Sequence, residues 1–181
     1  MKILLTSARL LAVLTLLLGG LYPALVWAIG QTVFPSAANG SLALHPTSGH
    51  VVGSTLLAQA TPDPRYVQPR PSAADYATVA SGASNQPWTS AKLHDRVQAA
   101  RAAGQPAALA TTSGSGLDPH LPPAAALAQL DHVAAARAWT PAARTRAEAW
   151  VAAHLEGGQL SPTYVNVLRL NLALDSIDRA P

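Results

Sequence analysis

The chain has 181 residues, enough for one compact domain plus an appendage, and no cysteine, which excludes a disulfide framework, Cys-ligated zinc and a thiol nucleophile. Its formal charge of +3 owes two cations, Lys2 and Arg9, to the first nine residues, and Arg137, Arg144 and Arg146 are the nearest thing to a basic cluster in the rest, so nucleic acid is not an expected partner. With 49% apolar and 12% charged residues the chain is too hydrophobic for disorder, and something must be buried in protein or in lipid.

From Leu10 to Ile29 there are 20 residues without a charge. At about 1.5 Å per residue these span the roughly 30 Å hydrocarbon core of a bilayer. The expected organisation is a tail at 1–9, a transmembrane helix at 10–30 and a soluble domain at 31–181. Gly19 and Gly20 would weaken a soluble helix but suit close packing against a second helix in a membrane. Tyr22, Trp27 and Phe34 gather toward the far end, as interfacial aromatics do. The competing reading is a signal peptide cleaved near Ser36-Ala37-Ala38, although the apolar run exceeds the usual signal core. Lys2 and Arg9 precede the run and the next Lys or Arg is Arg65, so charge bias keeps the N-terminus in the cytoplasm and the body outside, on an inner membrane.

Beyond residue 35 the signals become those of a soluble α+β domain, with short strands and about three to four helices. Asn39-Gly40 and Ser48-Gly49 are turn pairs, and a hairpin of Ser41–His45 with Val51–Gln59 is the natural reading. Four prolines between Thr61 and Ser72 dictate an extended loop. A helix over Ser90–Ala103 has a Ser cap and stops at Gly104. Ala107–Thr112 reads as a buried strand. A helix entered at Pro122-Pro123 should run to about Ala138, with Ala126, Leu130, Val133 and Arg137 on one side. Thr140-Pro141 opens another, which carries Ala147, Trp150, Val151 and His154 and ends at Gly157-Gly158. Val165–Leu174 fits a strand and a helix equally well. The scarcity of aromatics implies a thin core and a body that docks on something larger.

No phosphate-gripping Gly-rich loop with lysine is present, and the histidines at 45, 50, 94, 120, 132 and 154 lack metal-ligand spacing. No catalytic or metal residue is therefore assigned. Ser113-Gly114-Ser115-Gly116 offers backbone donors to an anion, or is a tight turn using the torsional freedom of Gly114 and Gly116. Ser81-Gly82-Ala83-Ser84-Asn85 poses the same choice. Asp118 and His120 are the candidates for acid–base work, and with them the chain would be an anchored periplasmic hydrolase; Asp118-Pro119 is equally a turn into a helix. Arg65, Tyr66 and Arg70 in the proline loop either contact a partner or surround one packing tyrosine.

Several strings together resemble a known family: Ala38-Asn39-Gly40-Ser41-Leu42, Val52-Gly53-Ser54, Asp63-Pro64-Arg65-Tyr66, Arg70-Pro71-Ser72-Ala73, Ser81 to Asn85, Ser115-Gly116-Leu117-Asp118-Pro119-His120 and Val165 to Asp175. In this order, behind one apolar span, the chain is similar to the KdpC subunits of the bacterial high-affinity potassium-transporting ATPase. The resemblance implies a non-catalytic accessory subunit that assembles with a potassium-channel-like subunit, a P-type ATPase subunit and a small membrane peptide. Consistently, the Asp-Lys-Thr-Gly phosphorylation motif of P-type pumps is absent. The family is described as a catalytic chaperone raising the pump's ATP affinity, which implies nucleotide at Ser81, Gly82, Ser84 and Asn85, and ATP otherwise only through the pump subunit. Here Ala83 stands where a second glycine is usual, Ala58-Gln59 replaces the Gly-Gln after the hairpin, and Val67-Gln68-Pro69 replaces Phe-His-Gly. The implied contact with ATP conflicts with the charge rule, because an external body cannot reach cytosolic nucleotide.

Overall fold

The computed structural model describes residues 1–177 and divides into two compact units, Met1–Leu42 and the residues from Ala43 onward. In the first, helical structure runs unbroken from Lys2 to Val33, the one helix among the described residues that is long and apolar enough to cross a membrane. It comprises α1 (Lys2–Leu16), a π-helical turn at Leu17–Leu21 and α2 (Tyr22–Val33). The wide turn has a local cause: Pro23 donates no hydrogen bond and its ring presses on the carbonyl four residues back, at Gly19, so the ladder loosens there. A Cβ at Gly19 or Gly20 would meet nothing within 4 Å, which leaves both open to a neighbour from another chain.

At Phe34 the backbone leaves the helix, and the single turn α3 (Pro35–Ala38) folds back beside α2. Asn39 Nδ2 donates to Gln31 Oε1 at 3.1 Å and to Pro35 O at 2.7 Å. Ala38 packs close to Gly30, where a Cβ would lie in ordinary contact, 3.5 Å from that of Ala38.

Strands β1 (Leu42–Leu44) and β2 (Val51–Ser54) pair across a turn closed by His45 N–H donating to His50 O at 2.8 Å. β2 stops well short of Gln59, because Ser54 turns the chain by accepting from Leu56 N–H through its hydroxyl and from Leu57 N–H through its carbonyl. The proline loop is irregular, as expected. Helix α4 (Ala91–Ala102) is capped by Ser90, whose hydroxyl accepts from Leu93 N–H, and ends before Gly104 at φ +67°. Where a strand is expected, Ala107–Ala110 forms one helical turn, α5, and only Thr111 is extended. Alanine and leucine after Pro106 favour the helix, and apolar run length alone could not tell the two apart.

The helix expected from Pro122 to Ala138 is two, α6 (Pro123–Leu127) and α7 (Leu130–Ala136). The break lies at Ala128-Gln129, where the Gln129 amide turns away to bond the proline loop. Helix α8 (Pro141–Ala153) starts at the Thr140 cap but ends at His154 rather than at Gly157-Gly158. Those glycines, both at positive φ, instead turn the loop whose ends pair Glu156 with Tyr164. Both readings of Val165–Leu174 hold in part: β4 (Val165–Asn166) pairs antiparallel with β3 (His120–Leu121), and α9 (Val167–Ile177) follows at once. The core is formed by Leu121, Ala126, Leu130, Val133, Ala147, Val151, Val165, Leu170 and Leu174 with Val67 of the proline loop. Its alanines let α6, α7, α8 and α9 approach closely, so a core poor in aromatics still closes.

Candidate functional site

The second unit has few strands, so the polar groups of its long loops must find other partners. In the proline loop, side-chain amides take the place of a neighbouring strand. Asn171 of α9 accepts from Val67 N–H at 2.9 Å and donates to Val67 O at 2.9 Å. Gln129 does the same for Gln68, at 2.9 and 3.1 Å. Beside them Tyr66 Oη donates to Asp175 Oδ2 at 3.1 Å, and Arg137 Nη2 donates to Asp175 Oδ1 at 3.0 Å. The Arg137 side chain is only 3% exposed; its guanidinium lies 4.7 Å from the Tyr66 ring centre, and its Nε donates to Arg65 O. Burial, and then the bond to Asp175, push the Tyr66 phenol above its ordinary value. Arg65 itself points outward and pairs with Asp63 at 2.7 Å, which holds the Asp63 carboxyl below the usual range.

Arg70 crosses to the second loop, donating to Thr112 O at 3.1 Å and approaching Asp118 Oδ2 at 3.6 Å. In that loop Gly116 has φ +71°, and a Cβ there would lie 2.9 Å from Gly82 O and 3.0 Å from Ser72 Oγ. Gly114 differs: its φ is not positive and its surroundings are open, so the freedom expected of both glycines is used at one. Asp118 Oδ1 accepts from His120 N–H at 3.0 Å, the expected turn bond. His120 then stands between two carboxylates, Nδ1 at 3.4 Å from Asp118 and Nε2 at 4.0 Å from Glu156, with its ring 4.4 Å from Tyr164. Glu156 also accepts from Arg169 at 3.0 Å. With both ring nitrogens turned to carboxylates, His120 has none aimed at a hydroxyl, and the geometry does not build a hydrolase.

Ser81 to Asn85 form neither a hydrogen-bonded turn nor a regular element, with Asn85 alone of the five at positive φ, and Ser81 Oγ donates to Ser115 O at 2.8 Å. This ties the segment to the Gly116 corner. The hollow beside it is lined by Leu56, Leu57, Ser81, Ser115, Leu117 and Asp118 among others, and its one charged residue is a carboxylate. These residues do not fit a triphosphate, which needs cations or a fan of backbone donors. A separate groove of about 230 Å3 runs between Gln59 and α9, mostly apolar, with His45, Tyr66 and Asp175 at its rim.

Arg137, Asn171, Gln129, Asp175 and Glu156 hold this framework together, and sequence reading assigned none of them a role. Two left a trace. Arg137 shares a helical stripe with Leu130 and Val133, and Asn171 interrupts an apolar run, which marks each as a polar group going into the core.

Residues 4–176 match the family model described as KdpC, the c chain of K+-transporting ATPase. The chain belongs to the KdpC family. It is similar to the potassium-transporting ATPase KdpC subunit of Pseudomonas aeruginosa, at 46% identity over 93% of this chain and 94% of that one. The corresponding subunits of Geobacter sulfurreducens and Parvibaculum lavamentivorans are each 42% identical, over 98% and 99% of this chain and 99% and 100% of theirs. A KdpC-family chain is a subunit of a potassium-transporting ATPase, and this one has the α+β body and, among the described residues, the single long apolar helix expected of it.

Proposed function

We propose that this chain is the non-catalytic accessory subunit of a potassium uptake pump, held in the inner membrane by residues 10–30, with the N-terminus cytoplasmic and the body outside. It assembles with the channel-like subunit, the P-type ATPase subunit and the small membrane peptide, and regulates pumping by stabilising the outer face of the channel-like subunit. The observation that carries this reading is the placement of Lys2 and Arg9 at the N-terminal end of a helix with no buried residue, ahead of its uncharged stretch, followed by no Lys or Arg until Arg65. The body supports it by what it is built for: its charged residues tie loops together, and exposed apolar side chains remain on a loop, Val79 at 100% and Trp88 at 90% exposure.

Protease added to intact spheroplasts should digest the body of the assembled subunit, and pull-down of the full chain should recover the pump. Protection in spheroplasts with digestion after lysis would place the body in the cytoplasm. That outcome would favour the second reading, a chaperone touching nucleotide through Ser81, Gly82, Ser84 and Asn85. On the present reading the full chain neither hydrolyses ATP nor binds it saturably, and saturable binding lost in Ser81→Ala would support the chaperone instead.

A further inference from the structure

We infer that the first hairpin lies against the lipid surface, with the outward leucines of β1 set in the boundary between headgroups and acyl chains. The inference rests on residues 10–30 spanning the membrane. Four observations lead to it.

The stretch free of Lys, Arg, Asp and Glu does not stop with the span: none occurs between Arg9 and Asp63, and the titratable groups of the hairpin are His45 and His50 at its turn, His45 lying 4.0 Å from Asp175. The chain also does not climb away from the bilayer after α2. Asn39 is bonded to Gln31, and Ala38 packs at Gly30, so residues 38–39 return to the level of residues 30–31. Gln31 is two residues past the end of the apolar run, about 3 Å along the helix axis, which is within the headgroup layer. Leu42 follows Asn39 by three residues and so starts within about 10 Å of that level.

The third observation is the burial pattern of β1. It is inverted for a water-facing strand: small Ala43 faces inward at 9% exposure, while Leu42 and Leu44 face outward at 54% and 56%. Val51 of β2 and the nearby Leu56 are equally open, at 56% and 59%. A hairpin in water places its large apolar side chains on the buried face and leaves polar ones outside. The fourth is Phe34, 61% exposed at the helix exit, an aromatic of the kind that collects at this depth. Lipid is the surface whose distance is fixed by the chain itself, and the outward residues match it in chemistry.

The chain has no cysteine, so single-cysteine variants can be spin-labelled without background. The full chain is placed in nanodiscs of phosphatidylethanolamine and phosphatidylglycerol, labelled at Leu18→Cys, Leu42→Cys, Leu44→Cys or Val79→Cys, with circular dichroism to verify the fold. Collision with oxygen, which concentrates in lipid, is compared with collision with a water-soluble nickel chelate. The Leu42 and Leu44 labels should favour oxygen by roughly twofold or more relative to the Val79 label, with Leu18 favouring it most. If Leu18 reports lipid while Leu42 and Leu44 match Val79, the hairpin stands in water or waits for a protein partner, and the inference fails alone. If Leu18 reports water, the spanning helix fails and the inference falls with it.

Discussion

Gly116 is the residue at which the second loop is most tightly constrained. Valine there would need a positive φ that β-branched residues resist, and its Cβ would press on the backbone carbonyl of Gly82. We expect Gly116→Val to cost about 2 kcal/mol or more in urea unfolding of the full chain. Gly114→Ala, four-sided in open space, should change stability by less than about 0.5 kcal/mol. Asp118→Ala removes the bond from His120 N–H and should cost about 1 kcal/mol. Tyr66 brings a pH dependence with a definite sign. Its phenol is raised above 10.0 in the fold by burial and by Asp175, so the native state keeps its proton where the unfolded chain loses it. The associated stability is complete below about pH 10 and is lost as pH rises through the raised native value. Tyr66→Phe should therefore flatten part of the alkaline fall in unfolding midpoint. Tyr76, raised by burial as well, accounts for a further part that this variant leaves in place.

Among the elements, those bounded by local chemistry were legible in the sequence and those bounded by distant contacts were not. The Ser90 and Thr140 caps start α4 and α8 as the residue types require, since each hydroxyl serves an amide three residues on. The break between α6 and α7 has no such marker. At the break Gln129 bonds Gln68, a residue 61 positions away, whereas a helical pattern of alanines continues straight through it. The same holds for Asn171, which on periodicity alone is a flaw in the apolar face of α9. In the fold its amide supplies both bonds of Val67. Asn171→Leu keeps the branching of the side chain and the helix but leaves a buried N–H and carbonyl unpaired, and should cost about 2 kcal/mol in unfolding free energy. Gln129→Ala, at a half-buried position, should cost about half as much.

For the whole molecule, separating folding from assembly gives the sharpest test. Trp88 makes almost no contact within the chain, so Trp88→Ala should leave the unfolding midpoint unchanged while reducing recovery of the pump in pull-downs. Retained assembly together with lost stability would show that the residue serves the fold instead. The sequence by itself determined the apolar span, the starts of α4, α6 and α8, the irregular proline loop, the corner at Gly116 and the family, because each depends on residue type at short spacing. Tertiary structure alone decided which side chains hold the loops: Asn171 for Val67, Arg137 and Tyr66 for Asp175, Glu156 and Asp118 for His120. The reason is physical. A loop rich in proline has backbone donors and acceptors that no ladder can satisfy, and which distant amide or charge reaches them follows from how the helices pack, which no local period encodes.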